Sequence, residues 1–80
     1  MINKTLIVAK NRDAYEDFLE QNGLNPVHFR YVENIRFLVD YKGLVLMTGK
    51  WWQNETYNGA FYEELRRLEQ VGKLSIIKRG

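Results

Sequence analysis

Two unbroken apolar runs are the clearest feature of the chain. The first is Leu6–Ala9 and the second is Leu44–Thr48, in which only the last residue is polar. A run without alternation is typical of a strand that is covered on both faces, as in the middle of a parallel sheet. The pattern therefore predicts two central strands, which are the first and third strands of the chain.

Two other segments predict strands nearer the edges of the sheet. Val27–Val32 alternates, with Val27 and two aromatic residues on one side and His28 and Arg30 on the other. This alternation is typical of a strand with one exposed face, so the second strand is expected at an edge. Lys73–Lys78 is predicted as the fourth strand.

Apolar residues at helical spacing predict a first and a third helix. The first is expected at Arg12–Asn22, with Asn11 as its N-terminal cap and Gly23 as its stop. The third is expected from residue 57 or 59 to residue 71, where apolar side chains step by four, four and three positions.

A short second helix is predicted between the second and third strands. Asn34 is positioned to cap it, and Ile35, Leu38 and Val39 recur at helical spacing. This helix is expected to end near residues 40–42, before Gly43.

The alternation of strands and helices predicts a single α/β domain over residues 1–80. Parallel strands need helical crossovers of one hand, so we expect a small Rossmann-like three-layer sandwich with four mostly parallel strands and three helices. The two apolar strands belong in the centre, which gives the spatial order 2-1-3-4. The alternative is an α+β meander in which strand 2 or strand 4 runs antiparallel.

The composition narrows the possible chemistry. The 80 residues include no cysteine, which excludes a disulfide framework, a thiolate metal site and a cysteine nucleophile. The single histidine, His28, argues against a catalytic triad or a histidine metal cluster. We therefore expect no catalytic residue, no bound metal and no cofactor.

The usual phosphate-binding motifs are not found in the sequence. Gly49-Lys50 resembles the end of a Walker loop, but Leu44 stands where the first glycine belongs and Trp51 replaces the serine or threonine. Residues 9–14, after the first strand, lack the glycines of a dinucleotide-binding turn.

Charge and hydropathy set only broad limits. Twelve Lys and Arg against ten Asp and Glu leave a formal charge of +2, which is too balanced to indicate nucleic-acid binding by itself. The first apolar run is far shorter than the roughly 20 residues of a membrane span. We expect a soluble intracellular protein with no membrane partner.

The predicted strand order indicates where a binding site should lie. The chain reverses direction between strands 1 and 3, and ligands of open α/β sheets bind at the carboxyl ends of the strands at such a point. Two loops meet there, one after each central strand. The predicted binding residues are Lys10, Asn11, Arg12, Thr48, Lys50, Trp51, Trp52 and Gln53.

Two interpretations of these loops stay open. In the first, Lys10, Arg12 and Lys50 contact phosphate beside helix N-termini while one of the tryptophans stacks on a base. In the second, one tryptophan fills a gap in the core, the other covers a helix end, and the cations are solvated loop residues.

Short segments at the borders of the predicted elements also carry a family resemblance. Leu6–Asn11, Arg30–Val32 and Thr48–Trp52 resemble the corresponding segments of small uncharacterised proteins encoded by tailed bacteriophages. The likeness spans nearly the whole chain. It implies a phage-encoded accessory protein that acts in the host cytoplasm, with no established activity or catalytic residues to carry over.

Three functional hypotheses follow. The first is a non-enzymatic module that binds a host protein, or a second copy of itself, through the aromatic residues and polar rim of the two loops. Edge strands 2 and 4 offer a further route to a dimer, by extension of the sheet. The second is a nucleotide or single-stranded nucleic-acid binder that uses the same loops. The third is a small hydrolase, which requires a carboxylate near Lys10 and Lys50, and Glu55 is the only acidic residue of the second loop.

Overall fold

A computed structural model describes residues 4–39, 41–54 and 57–79 of the chain. The strands are β1 (Thr5–Val8), β2 (Phe29–Tyr31), β3 (Gly43–Thr48) and β4 (Leu74–Arg79). The α-helices are α1 (Arg12–Gln21) and α2 (Gly59–Gln70). Three single 3-10 turns lie at Pro26–His28, Ile35–Leu38 and Trp51–Gln53.

The strands form one sheet in the order β2-β1-β3-β4, and every pairing is parallel. This confirms the predicted α/β class and strand order. The alternative meander is wrong, because each connection returns over a face of the sheet and none is a hairpin. β3 and β4 pair along their whole length, from Gly43 against Leu74 to Thr48 against Arg79.

Side chains that alternate along the central strands build a separate core on each face of the sheet. The smaller core, between the sheet and α1, contains Ile7, Ala9, Tyr15, Leu19 and Leu46. The larger core, between the sheet and α2, contains Leu6, Val8, Val45, Met47, Phe61, Leu65 and Leu68 among others. The domain therefore has three layers, with one α-helix on each side of the sheet.

α1 begins after the predicted cap Asn11, and α2 begins at Gly59, the second of the two predicted starts, with Asn58 as its cap. The Asn11 side chain accepts a hydrogen bond from the backbone N–H of Ala14 at 2.8 Å, and Asn58 accepts one from Phe61 at 3.0 Å. Gly23 follows α1 with a φ of 62°, as expected of a helix stop. Among the described residues, no helix is long and apolar enough to cross a membrane.

The predicted second helix is wrong, so the described residues form two α-helices and not the predicted three. Ile35–Leu38 forms one 3-10 turn, in which Leu38 is fully buried while Val39 just beyond it is 70% exposed. Tyr41 accounts for the early stop, because its hydroxyl bonds to the backbone oxygens of Lys4 and Leu44. This contact draws the chain back to the sheet before a second turn can form. The predicted end near residues 40–42 includes position 40, which lies outside the described residues.

The second strand is shorter than predicted because its first half forms a turn. The Asn25 side chain accepts a hydrogen bond from the N–H of Val27 at 3.0 Å, and its carbonyl accepts one from His28 at 3.1 Å. Both residues leave the sheet as a result, and Val27 is exposed instead of facing inward as predicted. β2 is an edge strand, as expected.

Replacing Tyr41 by Phe tests the anchor that ends the 3-10 turn. We expect Tyr41→Phe to lower the free energy of unfolding by roughly 0.5–1.5 kcal/mol at neutral pH, because the hydroxyl bonds are lost. Burial also raises the pKa of the Tyr41 phenol. The unfolded chain therefore loses this proton first, and the wild-type protein should lose stability as the pH rises above about 10. Urea unfolding should show a smaller difference in the free energy of unfolding between the two proteins at pH 10.5 than at pH 8. A difference that stays constant would contradict the role given to the Tyr41 hydroxyl.

Candidate binding face at the carboxyl ends of the strands

The chain leaves the two central strands in opposite directions at their carboxyl ends. After β1 it turns through Lys10 and Asn11 into α1, and after β3 it runs through residues 49–54 towards α2 on the other face. We call these two segments, residues 10–12 and 49–54, the carboxyl-edge loops. They lie where the sequence placed them, at the reversal point of the sheet.

A tight turn at Gly49 gives the second loop its shape. Gly49 has a φ of 61°, a conformation that other residues rarely adopt, and its N–H bonds to the carbonyl of Arg79 at 3.0 Å. The 3-10 turn at Trp51–Gln53 follows directly. In it the backbone N–H of Gln53 donates to the Lys50 carbonyl, and that of Asn54 donates to the Trp51 carbonyl. The loop is therefore held at its start by β4 and within itself by its own backbone.

Asn54 fixes the other end of this loop. Its side chain is 4% exposed, and its Nδ2 donates hydrogen bonds to the Ala9 carbonyl at 2.6 Å and to the Tyr31 hydroxyl at 2.9 Å. The amide thus joins the segment after β3 to the end of β1 and to the side chain of β2. We call this contact the Asn54 latch.

The Asn54 latch changes what the reversal point can accommodate. In many open α/β sheets a ligand group enters at the end of the first strand. Here the Asn54 side-chain amide donates a hydrogen bond to the Ala9 carbonyl at that end. The exposed groups at this edge are those on the outer surface of the carboxyl-edge loops. Asn54 was not among the predicted site residues, and nothing in the local pattern distinguishes it from the other loop amides.

The two tryptophans have different environments. Trp51 is half-buried and packs against the core on the α2 face. Trp52 is 54% exposed, and its ring meets that of Trp51 edge-on, with centroids 4.9 Å apart and planes at 84°. Trp51 therefore belongs in part to the core, whereas Trp52 presents an indole at the surface.

The remaining predicted residues divide into structural and exposed groups. The Asn11 side chain is used as a helix cap, and Thr48 is buried. Arg12 bonds to Glu33 at 2.6 Å and lies 3.7 Å from Glu16, so its guanidinium is engaged by two carboxylates. Lys10, Lys50 and Gln53 are exposed.

Two further cations lie at the same edge of the sheet. Lys78 and Arg79 end β4, and the Arg79 carbonyl accepts the bond from Gly49. Both side chains are exposed. Within the described residues, no ion pair engages Lys10, Lys50, Lys78 or Arg79. Lys78 and Arg79 were not among the predicted site residues. The predicted strand order could have indicated them, because it places the end of β4 beside the loop after β3.

The described part of the chain brings no three acidic or histidine side chains together in a way that would hold a metal ion. Glu55, the carboxylate that the hydrolase hypothesis requires, lies outside the described residues. The arrangement of the described side chains suits binding through an exposed aromatic ring and exposed cations.

The fold and this face together define a small parallel α/β domain with an aromatic and cationic carboxyl edge. No protein-family model, curated protein or solved structure was found to match the chain. The geometry of the carboxyl-edge loops is therefore the basis for a functional proposal.

Replacing Asn54 by Ala tests the Asn54 latch. The change removes the amide that bonds to Ala9 and Tyr31, so we expect Asn54→Ala to lower the free energy of unfolding by roughly 1–3 kcal/mol. Gln53→Ala is the matched control, because it removes an exposed amide next to it and should change stability by less than about 0.5 kcal/mol. Urea unfolding followed by circular dichroism measures both. If the two substitutions lower the free energy of unfolding equally, the Asn54 hydrogen bonds do not stabilise the fold.

Proposed function

We propose that the protein is a non-enzymatic binding module that acts through protein–protein contacts of the carboxyl-edge loops. The observation that carries the proposal is the 54% exposure of Trp52 beside a half-buried Trp51. Tryptophan is the side chain most enriched among the residues that dominate binding energy at interfaces. An exposed indole on a folded loop is a ready anchor for a partner.

The surroundings of Trp52 support its role as an anchor. The edge-on contact with Trp51 restricts the ring before a partner arrives, so less side-chain entropy is lost on binding. Lys10, Lys50 and Gln53 supply exposed polar groups at the same edge. An aromatic centre with a polar rim is the usual anatomy of a protein interface.

The Asn54 latch favours a macromolecular partner over a small molecule. The end of β1, where a small ligand would enter, is occupied by a bonded and buried amide. What stays accessible is the outer surface of the loops. A partner protein can cover such a surface, whereas a small molecule usually needs a concave site.

The partner that this proposal favours is a host protein met by a phage-encoded accessory protein in the host cytoplasm. The ground for the phage origin is the resemblance of the segments Leu6–Asn11, Arg30–Val32 and Thr48–Trp52. A second copy of the chain is the other protein partner that the same face allows. Exposed cations at this edge favour a partner surface that carries acidic residues.

Trp52→Ala tests the anchor. We expect the variant to fold normally and to lose most of its partner capture from host lysate, by about tenfold or more, because hot-spot tryptophans contribute roughly 2 kcal/mol or more. Quantitative mass spectrometry of captured proteins provides the measurement, and light scattering detects self-association. Val71→Ala, which trims another exposed apolar side chain, is the control. An unchanged set of captured proteins and an unchanged mass for Trp52→Ala would overturn the proposal.

A single-stranded nucleic acid is the second candidate ligand of this face. The specific observation in its favour is that four exposed cations lie at the edge that carries Trp52, namely Lys10, Lys50, Lys78 and Arg79. Proteins that bind single strands combine such a basic track with aromatic rings on which bases stack. The charge of this edge exceeds what the balanced total of +2 suggests.

Titration with oligothymidine tests this second candidate. Binding should quench tryptophan fluorescence and weaken steeply as salt rises, and Lys50→Ala should lower the salt dependence by about one released counterion. Lys4→Ala, at the opposite end of β1, removes the same charge and should leave binding unchanged. If oligothymidine causes no quenching at low salt, nucleic-acid binding by this face is excluded.

A further inference from the structure

The outer edge of β4 is open in the described part of the structure. β4 pairs with β3 along one side, and none of the described strands pairs with its other side. It extends over six residues, Leu74–Arg79, whereas the opposite edge strand β2 has only three. An open edge of this length can pair with a further extended segment.

The hydrogen bonds at the two ends of β4 show which backbone groups face outward. The carbonyls of Lys73 and Arg79 accept bonds from Gly43 and Gly49, at 3.1 and 3.0 Å. In a parallel ladder every second residue bonds to the same neighbour, so the odd-numbered residues of β4 face β3. The backbone groups of Leu74, Ile76 and Lys78 therefore point to the open edge.

A groove of about 440 Å³ runs beside this edge on the α2 side. Tyr62 and Arg66 form its outer wall, with the Arg66 guanidinium 5.8 Å from the centre of the Tyr62 ring. Leu65 and Ile76 contribute apolar surface, and Lys78 lies at one end. The groove therefore offers both polar and apolar surface, and two of its lining residues, Arg66 and Lys78, are cations.

The opposite face of β4 also presents apolar surface. Ile77 is 45% exposed there, on the side of the sheet that α1 covers only over the other strands. A segment that pairs with β4 places successive side chains on alternate faces. One set would enter the groove on the α2 side, and the other would lie next to Ile77.

We propose that the outer edge of β4 binds an extended acidic peptide segment as an additional parallel or antiparallel strand. Pairing with the backbone of Ile76 and Lys78 supplies affinity, and the groove beside Tyr62 and Arg66 receives every second side chain. This is the strand-addition mode of peptide recognition, in which backbone bonds bind and alternating pockets select. The groove does not include Trp52, although Lys78 and Arg79 lie next to both surfaces.

The charges around the edge decide in favour of an acidic peptide over a second copy of the chain. Arg66, Lys78 and Arg79 surround the edge, and Glu69 is the one acidic residue that lines the groove. Two-fold pairing of β4 with its own copy is antiparallel and would add a second set of these cations at the other end of the ladder, with no additional acidic residue beyond a second Glu69. An acidic strand meets complementary charge instead.

Fluorescence anisotropy with three labelled peptides tests the proposal on the full-length protein. The probes are a peptide of alternating valine and glutamate, its valine and lysine counterpart, and a glutamate and proline peptide that cannot form a strand. We expect binding of the first alone, weakening as salt rises. Nuclear magnetic resonance should show slower amide exchange at Ile76 and Lys78 in the complex. Binding of the proline peptide with equal affinity, or unchanged exchange at both amides, would overturn strand addition.

Two substitutions at one position separate backbone pairing from charge. Lys78→Gln removes the cation and keeps the N–H, whereas Lys78→Pro also removes an outward N–H that β3 does not use. We expect Lys78→Pro to weaken binding about fivefold more than Lys78→Gln. Equal affinities of the two variants would contradict backbone pairing. Circular dichroism checks that both variants fold. If Lys78→Pro fails to fold, the amide exchange of the wild-type protein in the complex tests backbone pairing instead.

Two further controls separate the β4 edge from the Trp52 anchor and from a general effect of positive charge. Trp52→Ala should leave peptide binding unchanged, so failure of the Trp52 anchor and failure of the β4 edge give different results. Lys4→Gln removes a cation far from β4 and should also have no effect. If sedimentation shows a dimer that Lys78→Pro dissociates, the edge is occupied by a second copy and the acidic-peptide proposal is wrong.

Discussion

The Asn54 latch is the contact on which the carboxyl edge depends. A buried amide that lacks hydrogen-bond partners costs free energy, and Asn54 meets this requirement with the carbonyl of Ala9 and the hydroxyl of Tyr31. These partners are 45 and 23 residues away in the chain, so one side chain ties the segment after β3 to the ends of β1 and β2. The same contact closes the end of β1 and holds the loop that carries Trp52. At the reversal point the structure therefore places a buried, hydrogen-bonded amide.

Much of the fold could be predicted because it follows from local patterns. Unbroken apolar runs identified β1 and β3, the Asn11 cap identified where α1 begins, and apolar residues at helical spacing identified α2. The one-handed crossover rule then turned a series of elements into the strand order that the structure has. The position of the carboxyl-edge loops followed from that order.

What could not be predicted depends on contacts between distant parts of the chain. The 3-10 turn at Ile35–Leu38 has the spacing of a helix, but the Tyr41 hydroxyl bonds to Lys4, 37 residues away, and ends it. The roles of Trp51 and Trp52 likewise depend on which of two adjacent rings meets the α2-side core. Asn54 is one of two side-chain amides in its loop, and only the folded chain shows that it is buried.

Tyr31 connects the two sides of the sheet. Its ring packs against Tyr15 of α1 with centroids 5.5 Å apart, while its hydroxyl accepts the Asn54 bond from the loop that leads to α2. A side chain in the α1-side core thus helps to set the position of a loop on the α2 side. A change of side-chain volume at Tyr15 is therefore expected to reach the Asn54 latch through Tyr31, although Tyr15 and Asn54 lie on different elements of the fold. The packing of one face of the sheet and the position of a loop on the other are coupled through a single hydroxyl.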